Sequence, residues 1–169
     1  MALNRILVSL TALAAFAMPA AAQISSEGGP IYINSERTES LERERKVLLI
    51  GNVDIQQGDA RLRADTVTMI FAEKPAGTTQ STSVGGGFGQ VKTMIAEGNV
   101  FYITADMKAK GDRGVYDAAS DIITMTGNVA LLRERDVAEG AVLRVEIGNR
   151  RTTLDGGDGR TRMVIDPDN

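Results

Sequence analysis

The chain has no histidine, no cysteine and no tryptophan among its 169 residues. Without histidine there is no Ser-His-Asp arrangement, no imidazole metal site and no side chain whose ordinary pKa lies near neutrality. Without cysteine there is no thiol nucleophile, no lipid-modified cysteine and no disulfide, so stability has to come from burial and strand pairing. Aromatics are scarce: past residue 22 they are Tyr32, Phe71, Phe88, Phe101, Tyr102 and Tyr116. The interior must therefore be built from Val, Ile, Leu, Met and Ala. Such an interior suits an ordinary small core, and equally a groove for flexible apolar chains. Basic residues do not prevail either, with 19 Lys and Arg against 22 Asp and Glu. That balance makes a poor polyanion binder and excludes a nucleic-acid role. A long apolar run is also missing, because Ile6 to Met18 falls short of the roughly 20 residues that span a bilayer.

That run does have a meaning. Arg5 precedes it, and Pro19 and Ala20-Ala21-Ala22 follow it, which is the pattern of a secretory signal with its cleavage site. Residues 1–22 are expected to be removed between Ala22 and Gln23, leaving one domain over residues 23–169. An uncleaved N-terminal anchor is the other reading of the same run.

Beyond the signal, period-two alternation dominates. Val67, Met69 and Phe71 alternate with Thr66, Thr68 and Ile70; Leu143, Val145 and Ile147 alternate with Arg144 and Glu146. Gly, Asn and Asp punctuate the chain at the spacing of an all-β sandwich or barrel. Asn34 to Lys46 is the one candidate helix, with Ser35 as its N-cap, but it has almost no apolar stripe; a turn or single helical turn is expected there. Lys74 to Gln90 reads as a long loop rich in Gly, Ser and Thr.

Chemistry has little to work with. No acidic pair stands out from a solvated surface, so no catalytic residue, metal site or cofactor is expected. The glycine-rich Ser83 to Val91 lacks the residues and the strand-to-helix setting of a phosphate loop. The stretch from Leu154, "LDGGDGRTRMVID", has Thr161 where a calcium repeat needs aspartate, and reads as a tight hairpin turn.

What is present is a repeat. Gly-Asn-Val occurs at Gly51-Asn52-Val53, Gly98-Asn99-Val100 and Gly127-Asn128-Val129. Two residues past each glycine stand Val53, Val100 and Val129; four past stand Ile55, Tyr102 and Leu131. Sixteen past are Val67, Gly114 and Leu143, and eighteen past are Met69, Tyr116 and Val145. Each copy thus reads as a strand, a turn and a returning strand of matching parity. A Gly-Asn step inside each strand would bend every hairpin at one level and enclose an apolar slot. The same step could instead form tight turns at strand ends. The slot set is Val53, Ile55, Val67, Met69, Val100, Tyr102, Tyr116, Val129, Leu131, Leu143 and Val145, and plain core packing is the competing reading for any of them.

The order of these motifs resembles the LptA/OstA family. The resemblance rests on Pro30-Ile31-Tyr32-Ile33-Asn34-Ser35, on a strand ending in Gly51-Asn52-Val53, and on Ala64-Asp65-Thr66-Val67. Residues 111–132, "GDRGVYDAASDIITMTGNVALL", and "RRTTLDGGDGRTRMVI", like the family's closing hairpin, extend it over the whole expected mature chain. The resemblance implies a bent antiparallel β-jelly-roll built from stacked hairpins. It implies a periplasmic protein that carries lipopolysaccharide from the inner to the outer membrane, with lipid A acyl chains in the slot. It adds Ile31 and Ile33 at one mouth and leaves the register of Phe101 open. Partners would be further copies joined head to tail, and related OstA-like domains of an inner-membrane anchored partner and an outer-membrane translocon. The cleavable signal and short length set the chain apart from those two. Lys74 to Gln90 departs from the family pattern, and the chain stops soon after its last strand. A structural periplasmic repeat protein that polymerises by strand addition without lipid is the alternative.

Overall fold

The computed structural model describes residues 24–25, 29–73 and 89–166. The expected signal and the loop at Lys74 to Gln90, apart from Gly89 and Gln90, lie outside these residues. Six long strands carry the fold: β3 (Lys46–Gln57), β4 (Ala60–Phe71), β5 (Val91–Ile103), β6 (Lys108–Asp117), β7 (Ile122–Arg133) and β8 (Asp136–Glu146). Short strands flank them: β1 (Ile31–Asn34) and β2 (Arg37–Leu41) before, β9 (Arg151–Asp155) and β10 (Arg162–Val164) after. All pair antiparallel in one sheet of order β1-β3-β4-β5-β6-β7-β8-β10, with β2 also on β3 and β9 also on β8. This is the expected all-β class with the expected hairpins β3–β4, β5–β6 and β7–β8. The candidate helix is instead strand β2 followed by one 3-10 turn, Glu42–Glu44. A segment without an apolar stripe has nothing to hold a longer helix.

The strands do not end at Gly-Asn-Val, as the family pattern suggested; they run straight through it. Gly51-Asn52 of β3 sits opposite the single residue Asp65 of β4, between the pairs Ile50–Thr66 and Val53–Ala64. Gly98-Asn99 faces Asp112 of β6, and Gly127-Asn128 faces Ala141 of β8, each two residues against one. Both residues of each step are left-handed: φ is 81°, 75° and 78° at the glycines and 44°, 46° and 47° at the asparagines. Each Gly-Asn is a bulge, and the bulges lie in one row across β3, β5 and β7. A bulge bends its strand and sharpens the local twist, so a row of them folds the whole sheet along a seam.

The short strands obey the same seam. β1 pairs with residues 54–57 of β3 and β2 with residues 46–50, so the chain breaks between them where β3 bends. β9 pairs with residues 142–146 of β8 and β10 with residues 137–139. The closing segment is therefore not a hairpin, contrary to the sequence expectation. β9 and β10 lie end to end along β8, and Gly156 and Gly157 mark their break at the seam. One half-sheet holds β1, β10 and the segments 53–57, 60–64, 100–103, 108–111, 129–133 and 136–140. The other holds β2, β9 and the remaining halves.

Candidate functional site

The space between the two half-sheets is the site. Its geometry follows from parity: a two-residue bulge preserves alternation, so residues before and after each Gly-Asn step keep facing inward. Val53, Ile55, Val100, Tyr102 and Val129 line one half, and Val67, Met69, Tyr116, Leu143 and Val145 face them from the other; all are buried. Leu131 and Ile31 are half-buried, and Ile33 is 41 % exposed at the β1 edge. Phe101 points outward, with Lys110 Nζ 5.8 Å from its ring centroid. The sequence rule counted only forward from glycine. Counting back two gives Leu49, Ala96 and Met125, and counting back four gives Val47, Met94 and Ile123, all buried in the same cluster.

The seam has a polar lock that the sequence reading missed. Asn99 Nδ2 donates to Asp65 at 2.9 Å and Asn128 Nδ2 to Asp112 at 2.8 Å. Asn52 donates likewise to Glu36, whose own N–H bonds the Gly51 carbonyl at 3.0 Å. The signal was available: the acid stands 16 residues before its asparagine in the first and third copies. In the middle copy the spacing is 34, because Lys74 to Gln90 intervenes.

The slot is open at one end and filled in the middle. At the β1–β2 edge a recess of about 510 Å³ is lined by the apolar Ile31, Ile33, Val47, Leu49, Met69 and Phe71 and by the polar Asn34, Ser35 and Thr38. Among the described residues, the buried polar ones are Ser25 and Gln57. Tyr102 donates its hydroxyl to the Ile24 carbonyl at 2.8 Å, and burial pushes its pKa well above that of an ordinary phenol. Outside, Asp54 is ion-paired with Arg61, which holds its carboxyl below the usual carboxylate range. No three His, Cys, Asp or Glu side chains gather into a metal-binding group among the described residues. Among the described residues the interior is mainly apolar surface.

Comparison with known proteins agrees with this geometry. The family model "LptA/(LptD N-terminal domain) LPS transport protein" matches residues 32–151. The "Uncharacterized protein R00383" of Rhizobium meliloti (strain 1021) is 28 % identical over 164 residues, covering 94 % of this chain and 85 % of that one. The LPS-assembly protein LptD of Yersinia enterocolitica serotype O:8 / biotype 1B is 27 % identical over 129 residues, covering 76 % of this chain but 15 % of its own length. Among solved structures, the chain is similar to LptH, the LptA homologous periplasmic component of the lipopolysaccharide transport device of Pseudomonas aeruginosa. That match has a TM-score of 0.67 and 18 % identity, and covers 86 % of this chain and all of LptH. At that identity the likeness establishes the fold, a bent β-jelly-roll. The chain belongs to the LptA/LptD N-terminal domain family of LPS transport proteins.

Proposed function

We propose that this protein carries lipopolysaccharide across the periplasm, with lipid A acyl chains lying between the half-sheets. The observation that carries the reading is the slot itself: two facing, mainly aliphatic walls that open at the β1–β2 edge into a mostly apolar recess of about 510 Å³. Pockets of that size accommodate drug-sized apolar ligands, and flexible acyl chains need surface, not shaped polar contacts. Protomers join through their sheet edges, β1–β2 of one against β9–β10 of the next, and the same edges meet related domains at the two membranes. Unpaired edge strands are templates for another chain.

A photo-cross-linking residue at Ile33, on the recess, or at Tyr116 or Leu131, further inside, is expected to capture lipopolysaccharide in cells. One at Asp54 or Thr68, on the opposite parity, is expected not to. Equal labelling of both sets, or none, would overturn the slot assignment. The second reading, a lipid-free structural repeat, draws on the middle of the slot, where only about 10 Å³ stays open around Val100, Tyr116 and Met125. Mass spectrometry of gently purified protein separates the two, since a scaffold brings no lipid with it.

A further inference from the structure

The middle of the slot is filled by a residue that belongs to no strand. Ile24 is completely buried, packed among Leu62, Met94, Val100, Tyr116 and Met125 from both half-sheets. The recess at the edge is bounded by β1 to β4, whereas Ile24 sits among β4 to β7. It therefore stands between the open mouth and the rest of the interior.

Its anchorage is polar. The Ile24 N–H donates to Gln57 Oε1 at 2.7 Å, and its carbonyl accepts from Tyr102 at 2.8 Å. Ser25 Oγ donates to Asp59 Oδ1 at 2.7 Å, in the β3–β4 turn. Gln57 is 2 % exposed at a position where the Val53-Ile55 alternation calls for an apolar side chain. Both ends of its amide are engaged, since Nε2 also donates to the Gly29 carbonyl at 3.1 Å. A buried amide costs stability unless bonded, so Gln57 is matched to this segment and not to the sheet. The side chain that enters the slot is a branched alkyl group, the chemistry of the proposed cargo. The expected cut after Ala22 leaves it on the mature chain.

We infer that Ile24 and Ser25 form a built-in stopper that occupies an acyl-chain position in the middle of the slot and has to withdraw before a saturated acyl chain passes the β1–β2 mouth. The inference rests on the lipid-slot reading. It makes binding a competition: the apparent affinity falls by the fraction of molecules in which the stopper is seated.

The absence of cysteine supplies the test. Ser25→Cys with Asp59→Cys creates the chain's sole pair of thiols. The fluorescent acyl probe dansyl-undecanoate, and separately lipopolysaccharide, are titrated into the oxidised and the reduced protein. The oxidised form, stopper locked, should bind both at least about tenfold more weakly than the reduced form. Ile24→Gly, which removes the alkyl group, should bind about tenfold more tightly than the unsubstituted protein; burial of one such side chain is worth about that factor or more. Equal binding by locked, reduced and Ile24→Gly proteins would overturn the stopper and leave the slot standing. Failure of the disulfide to form would overturn the seating itself. No binding of either ligand by any form would overturn the lipid reading, and the stopper with it.

Discussion

At the scale of single residues, the seam depends on glycines where a side chain would be both strained and crowded. Gly127 has φ +78°, and a Cβ there would stand 2.5 Å from Asp112 Oδ2. Alanine in the left-handed region costs about 1–2 kcal/mol before any clash. The carboxylate cannot retreat without giving up Asn128. Gly127→Ala is expected to lower unfolding free energy by about 2 kcal/mol or more in urea denaturation. Gly148→Ala is the control: its Cβ would meet only Asp121 Oδ2 at 3.3 Å, and the change should stay within about 0.5 kcal/mol. If the two variants are equally stable, the bulges are not what bends the sheet. The Gly-Asn steps were legible in the sequence because glycine and asparagine tolerate these angles better than other residues. Glu36, Asp65 and Asp112 were not, since an acid on a strand surface looks like any solvated acid until its partner is placed beside it. Ile24 was hidden for a different reason. One isoleucine outside any alternation carries no period, and only Gln57, a polar residue at an apolar parity position, hinted that something else occupied the interior.

At the scale of elements, both edges of the sheet are split strands. β1–β2 and β9–β10 each cross the seam by breaking, which an exposed edge permits because it owes hydrogen bonds on one side only. The sequence marked residues 30–35 and the stretch from Leu154, but read the second as a hairpin. Gly-Gly-Asp-Gly between extended segments is a turn signature in either case, and only β8, long enough to pair with both, decides which. The edges also carry exposed apolar side chains: Tyr32 is 64 % exposed, Met163 63 % and Val164 62 %. The two surfaces differ, so a contact between them is heterologous and extends without closing. Light scattering is expected to show size rising with concentration. Truncation after Asp158 removes β10 and leaves the six long strands whole, so the truncated protein should stay folded by circular dichroism and stay small. Undiminished growth would place the contact elsewhere.

At the scale of the whole molecule, the missing histidine returns as a statement about pH. The charge of a folded protein alters its stability only where a group binds protons differently folded and unfolded. No side chain here has an ordinary pKa between those of the carboxylates and those of the lysines and tyrosines. Below that window, among the described residues, three carboxylates are held under their ordinary range and set the direction. Asp54 is held down by Arg61, Asp106 by the Thr104 hydroxyl, and Asp117 by the Ser120 hydroxyl and N–H. A carboxyl whose folded pKa lies below its unfolded one adds stability above the unfolded value, about 3.9 for aspartate. It loses that stability as pH falls through the folded value. Asp106 is exposed and Asp54 and Asp117 are half-buried at the surface, so solvent screening keeps each contribution modest. They belong to separate parts of the sheet: the outer face of β3, the β5–β6 turn and the C-terminal end of β6. Their losses should therefore add. The urea midpoint is expected to stay level from pH 8 to pH 5.5 and to fall steadily below about pH 4. Asp54→Asn should shrink that fall while leaving the plateau flat. A midpoint that drops between pH 7 and pH 5.5 would show that a strongly displaced group, one that these three sites do not include, governs the fold.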